Sequence, residues 1–157
     1  MTIAEKLVAL LKAQGLTCAT AESCTGGGVG SAITAVPGSS AVFAGGIISY
    51  SNEVKRDVLG VAADILQKVG AVSPETAAQM AAGARKLLKT DLAVSLTGIA
   101  GPDGGSDEKP VGLVWFGLAT KAGVRTEKCI FRGDRAQVRV QAVTHALGML
   151  TVASSVP

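Results

Sequence analysis

Aromatic side chains are scarce in this chain of 157 residues: one Trp, one Tyr and three Phe. Single-stranded nucleic acid is held by stacking rings along a basic groove, and duplexes by a basic stripe. Charged residues make up only 17%, the net charge is +3, and no block of Lys or Arg occurs. The expectation is no nucleic-acid partner. Histidine is rarer still. The single His, His145, excludes a His-rich metal site. Three cysteines (Cys18, Cys24 and Cys129) form no C-x-x-C pair, which argues against a disulfide framework and against zinc. A reducing cytoplasm is the simpler setting. No apolar run is long enough to cross a membrane, and no basic leader precedes an apolar stretch near Met1. The reading is a cytoplasmic protein with no membrane partner.

Small and aliphatic residues are plentiful. Hydrophobic residues are 48% and glycine numbers 20, so the core is built from Ala, Val, Leu and Ile with close backbone contacts. That suits an α/β domain, and the length suits one domain over residues 1–157. No repeat, low-complexity stretch or linker is visible.

Thr2-x-x-Glu5 is a capping box, followed by Ile3, Leu7, Leu10 and Leu11 at helical spacing and a stop at Gly15. Residues 16–21 read as a strand, 25–35 as a helix with a small-residue face, and 42–50 as a second strand. Asn52 is the expected N-cap of a short helix, and 62–69 is a further helical piece. Ser73-Pro74-Glu75 starts a longer helix, with Ala77, Met80, Ala81, Ala84, Leu87 and Leu88 as its buried stripe. Leu92–Leu96 reads as a buried central strand, 97–110 as a Gly-rich loop, and 111–120 with 124–131 as a hairpin. Asp134-x-x-Gln137 caps a last helix. The expected fold is a three-layer α/β/α sandwich on a mixed, mostly parallel sheet of about five strands.

Four clusters carry chemistry. The first, Glu22-Ser23-Cys24-Thr25-Gly26-Gly27, is a strand-to-helix turn that can hold a nucleophile beside free backbone amides, or cradle a phosphate. Ser23 is either a nucleophile or simply a helix cap. The surround is not Gly-x-Ser-x-Gly, and His145 lies mid-helix, so an activated Ser23 needs another base. Lys55, in the second cluster with Tyr50, is a candidate. With Asn52 as N-cap it falls in the first helical turn, where dipole and desolvation lower an amine's pKa. A solvent-facing lysine is the competing reading. Tyr50 can relay a proton or orient the amine, or stand as a rim aromatic. Cys24 is an alternative nucleophile or a buried packing residue. The third cluster, Thr97 to Gly105, can offer backbone donors. The fourth, Arg132, Arg135 and Arg139, is an anion site or a solvated charged face.

Together the motifs Thr20-Ala-Glu-Ser-Cys-Thr-Gly-Gly27, Tyr50-Ser-Asn-Glu-x-Lys55, Val72-Ser73-x-Glu75, Thr97-Gly-Ile-Ala-Gly-Pro-Asp-Gly-Gly105, Lys109-Pro-Val-Gly112 and Gly133-Asp-Arg135 resemble the CinA C-terminal domain family, in order and at family-like spacing. The resemblance runs from about Thr2 to Ala153. The family includes stand-alone nicotinamide-nucleotide amidohydrolases. The resemblance implies hydrolysis of nicotinamide mononucleotide to nicotinate mononucleotide and ammonia, with no metal or other cofactor. It matches Ser23 and Lys55 to the family's catalytic Ser and Lys. On that reading Ser23 attacks the carboxamide, Lys55 is the base, and Tyr50 sits beside it. Amides at the start of a helix beginning Cys24-Thr25-Gly26-Gly27 hold the oxyanion. Thr97, Gly98 and the loop through Gly101 line the nucleotide pocket, and Arg135 meets the phosphate. The rival reading is a non-catalytic nucleotide-binding regulatory module of the competence/damage-inducible type. The partner is a small nucleotide in either case, and homo-oligomerisation is left open.

Overall fold

The computed structural model describes residues 1–155. In chain order the elements are α1 (Ile3–Gln14), β1 (Cys18–Glu22), α2 (Gly28–Thr34), β2 (Phe43–Ile48), α3 (Asn52–Asp57), α4 (Ala63–Lys68), α5 (Pro74–Leu88), β3 (Leu92–Gly98), β4 (Leu113–Thr120), β5 (Gly123–Ile130) and α6 (Arg135–Ser155). The strands form one sheet in the order β2-β1-β3-β4-β5. β1 pairs in parallel with β2 and β3, whereas β4 is antiparallel to both β3 and β5. Four of the five strands therefore point the same way, and only β4 runs against them. The expected mixed, mostly parallel α/β sheet is present, with the residue 92–96 strand at its centre.

Side-chain size explains how the layers sit. Along β3, Leu92, Val94 and Leu96 face α1, α2 and α6, and join Leu7, Leu11, Ile33, Phe116 and Leu150 in the larger core. Burying each such side chain contributes about 1.5–3 kcal/mol. The alternate residues are small. Ala93 packs with Ala19, Ala21, Met80 and Ala84 in the second core, and Ser95 Oγ donates to the Ala77 carbonyl of α5 at 2.5 Å. A β-carbon on Gly117 would run into that same carbonyl, so α5 lies against the sheet backbone itself. The small residues of the sequence are what permit this approach.

Most element starts are as the sequence predicts. Thr2 and Glu5 form the capping box of α1, Ser73 caps α5, and Asp134 with Gln137 caps α6. Four expectations are corrected. The first strand ends at Glu22, so Ser23 is the first residue beyond it. The helix expected over 25–35 begins only at Gly28, because Gly26 (φ 58°) and Gly27 (φ 104°) take left-handed conformations that turn the chain before it can wind. Ser51, not Asn52, caps α3: its Oγ accepts from the Val54 amide. Leu87 is half exposed and leaves the buried stripe of α5 to Ala77, Met80, Ala81 and Ala84.

Because β1, β2, β3 and β5 are codirectional, their C-terminal ends share one edge of the sheet. Ser23 follows β1, Tyr50 to Lys55 follows β2, the 99–105 loop follows β3, and the arginines follow β5. Ligands of open α/β sheets bind at such an edge.

Candidate active site

Ser23 and Lys55 meet there. The Lys55 Nζ lies 3.0 Å from Ser23 Oγ, 2.6 Å from the Ser49 carbonyl and 3.1 Å from the Tyr50 carbonyl. Ser23 is 8% exposed and Lys55 only 1%, the largest fully buried side chain among the described residues. No carboxylate pairs with this lysine among those residues. A buried ammonium without a counter-ion is costly, which shifts the balance toward the neutral amine. Burial accordingly holds the Lys55 pKa below its ordinary value of 10.5, against a smaller upward effect from Cys24. Because Ser51 is the cap, Lys55 sits one position beyond the first turn expected for it. Desolvation, not the helix dipole, depresses its pKa.

The geometry suits that neutral form. An amine has two N–H groups and one lone pair. In that form the Ser49 and Tyr50 carbonyls accept the two hydrogens and the lone pair faces the Ser23 hydroxyl; as an ammonium, the same nitrogen donates to all three oxygens. Ser49 is itself held by Glu22, whose carbonyl accepts from both the amide and the hydroxyl of Ser49. The strand that leads into Ser23 thus also positions the Ser49 carbonyl that holds Lys55.

Glu22 is the residue whose part the sequence reading missed. It is buried, and its side-chain oxygens accept from the Val29 amide (2.9 Å), the Gly30 amide (3.0 Å) and Thr25 Oγ1 (2.6 Å). The α2 N-terminus, expected to receive a substrate anion, is therefore already occupied by a side chain of the protein. Three amides of the preceding turn, those of Cys24, Thr25 and Gly27, have no hydrogen-bond partner among the described residues. The Glu directly before Ser23, with Gly26, Gly27, Gly28 and Gly30 closely following, was the available signal.

Several other candidates have different parts from those expected. The Tyr50 side chain is 65% exposed, and this residue meets Lys55 through its carbonyl, not its phenol. Phenylalanine at position 50 keeps that carbonyl, so Tyr50→Phe should hold kcat within about threefold, as steady-state ammonia release would establish. The Cys24 side chain lies in the larger core, and burial pushes its thiol up to about 11, which disfavours the thiolate. Thr25 is buried, and its hydroxyl donates to Glu22. Thr97 is buried as well, and its hydroxyl donates to the Ala71 carbonyl at 2.7 Å. A β-carbon on Gly98 would press on the β4 backbone, so this glycine serves packing at the base of the loop. Arg135 Nη1 donates to the Gly101 carbonyl at 2.8 Å, and Arg139 donates to the carbonyls of Cys24 (3.1 Å) and Thr25 (3.3 Å). The two arginines, one turn apart on α6, therefore tie the third and first clusters together. His145 is structural, its ring 4.5 Å from that of Phe116 and its Nε2 3.0 Å from Glu127.

Among the described residues, no three His, Cys, Asp or Glu side chains are gathered as metal ligands. A groove of about 640 Å³ runs between α1, α2 and α6, but neither Ser23 nor Lys55 lines it, and the chemistry is not placed there. No helix among the described residues is long and apolar enough to cross a membrane.

The family model of the CinA C-terminal domain matches residues 1–153. The chain belongs to this family. It is 51% identical over 152 residues to the nicotinamide-nucleotide amidohydrolase PncC of Escherichia coli K12, covering 96% of this chain and 92% of that protein. It is 57% identical over 135 residues to a relative from Halothermothrix orenii named for competence-damage induction, but there it spans only 33% of the relative's length. Among solved structures, the competence/damage inducible protein CihA from Agrobacterium tumefaciens superposes with a TM-score of 0.94 at 43% identity. That match covers 98% of this chain and 94% of the other. The likeness therefore embraces both near full-length relatives and longer proteins about two and a half times its size.

Proposed function

We propose that this protein hydrolyses the carboxamide of nicotinamide mononucleotide, giving nicotinate mononucleotide and ammonia. The observation that carries the reading is the buried Lys55 amine 3.0 Å from Ser23 Oγ, in a chain near full-length similar to an amidohydrolase of that substrate class. Ser23 Oγ attacks the carboxamide carbon and its proton passes to Lys55 Nζ. The amides of Cys24 and Thr25 stabilise the oxyanion of the tetrahedral intermediate. As the intermediate collapses, the amide nitrogen takes a proton from the Lys55 ammonium and leaves as ammonia. Water then attacks the acyl ester with Lys55 again as base, nicotinate mononucleotide leaves, and Ser23 regains its proton. Incubating the protein with nicotinamide mononucleotide and measuring ammonia tests this directly. Binding of the nucleotide with no ammonia release would favour the regulatory-module reading instead.

Arg135 is assigned to the phosphate. Its single recorded bond, to the Gly101 carbonyl, uses one of five guanidinium hydrogens and leaves the others for an anion. Arg135→Ala should raise KM for the nucleotide by about tenfold and leave KM for the phosphate-free nucleoside within about twofold, a difference near 1.4 kcal/mol in binding. Equal rises in both would assign Arg135 to holding the loop.

A further inference from the structure

The amides that would hold an oxyanion lie in a turn with little side-chain structure of its own, so something else must fix their direction. A trans peptide is planar, with its carbonyl and N–H pointing opposite ways. Holding the oxygen of one peptide unit therefore aims the hydrogen on the next residue. The Ser23 carbonyl accepts from the Gly26 amide at 3.1 Å, which aims the Cys24 N–H. The Cys24 carbonyl accepts from Arg139 Nε at 3.1 Å, which aims the Thr25 N–H. Arg139 Nη2 reaches the Thr25 carbonyl at 3.3 Å and so restrains the following peptide as well. A single guanidinium, brought from α6 more than a hundred residues along the chain, thus grips two successive carbonyls. Its planar fork is suited to this, and a lysine's point charge is not. The side from which it pulls is that of α6. Lys55 comes from α3, whose following residues Leu59 and Val61 pack in the core on the opposite face of the sheet. The Thr25 N–H, opposite the Cys24 carbonyl across the peptide plane, points away from Arg139.

We propose that Arg139 is a positioning residue that presets the Thr25 amide as an oxyanion donor of the Ser23 turn by holding the Cys24 carbonyl, its second bond to the Thr25 carbonyl bracing the same turn. The proposal rests on the acyl-transfer reading above for its kinetic consequence. Its geometric consequence stands independently. Losing one oxyanion donor typically costs about 10²–10³ in turnover. Arg139→Ala should therefore lower kcat about 100-fold, on nicotinamide mononucleotide and on the phosphate-free riboside alike, with KM changed by no more than about threefold. Arg139→Lys, which keeps the charge but can hold only one carbonyl well, should lose about tenfold. Guanidinium ion at millimolar, non-denaturing concentration should restore part of the activity of Arg139→Ala. A crystal structure of Arg139→Ala should find the Cys24–Thr25 peptide rotated.

Unchanged kcat in Arg139→Ala, or full kcat in Arg139→Lys, would overturn the proposal. So would a loss confined to KM for the phosphate-bearing substrate, which would make Arg139 an anion ligand. A wild-type protein that releases no ammonia from nicotinamide mononucleotide would end the substrate reading. The peptide orientation in the Arg139→Ala crystal would still decide this one, and an unrotated Cys24–Thr25 peptide would refute it.

Discussion

Ser23→Ala should reduce ammonia release from nicotinamide mononucleotide by a factor on the order of 10⁴–10⁶, the loss seen when an acyl-transfer nucleophile is removed. The fold should survive. The only hydrogen bond of the Ser23 hydroxyl among the described residues is with Lys55 Nζ, while its amide, bonded to the Leu96 carbonyl, and its carbonyl, bonded by the Gly26 amide, are untouched by the substitution. Circular dichroism and calorimetric nucleotide binding should therefore match wild type to within about threefold in Kd. Cys24→Ala is the paired control. It removes a buried thiol held up near pKa 11 and keeps the backbone amide, so it should retain most of the turnover while losing about 1 kcal/mol of stability. An inactive Cys24→Ala beside an active Ser23→Ala would make the chemistry thiol-based and overturn the assignment.

Much of this arrangement is legible in the sequence because it is local. The Thr2–Glu5, Ser73 and Asp134–Gln137 caps are three-residue patterns, and the aliphatic run at 92–96 has only one comfortable place, the middle of a sheet. The juxtaposition of Ser23 with Lys55 is not local. It came through family-like motif spacing, since nothing within residues 50–55 marks a buried amine. The direction of β5 was equally out of reach: only the β3-β4-β5 order brings the arginines to the same edge as Ser23. The helix boundary at 25–35 misled because glycine reports permission and not conformation. Gly26 and Gly27 could have wound or turned, and the Glu22 side chain, reaching forward to the Val29 and Gly30 amides, favours the turn. The exposure of the Tyr50 phenol and the occupation of the Thr97 hydroxyl by Ala71 are likewise tertiary facts with no sequence signature.

Lys55→Arg should be nearly inactive, and the pH behaviour of the wild type says why. Arginine stays protonated at any accessible pH, so it preserves the positive charge and abolishes the lone pair that receives the Ser23 proton. If charge alone were needed near Ser23, kcat would stay near normal, and the base would have to be sought elsewhere. In the wild type, turnover should climb with pH along a limb set by Lys55, because only the neutral amine accepts a proton. Stability should carry the same signature with a definite sign. The folded pKa lies below 10.5 and the unfolded value near it, so between those two values the unfolded chain binds the extra proton. Unfolding free energy then rises with pH over that window, and the rise ends once the unfolded amine has also lost its proton. Lys55→Met lacks the titrating group. The stability of the wild type relative to Lys55→Met should therefore grow with pH up to about 10.5, measured by urea unfolding at a series of pH values. A difference that is flat or falls over the same range would mean that Lys55 is buried as an ammonium, held by the Ser49 and Tyr50 carbonyls, and could not serve as the base for Ser23.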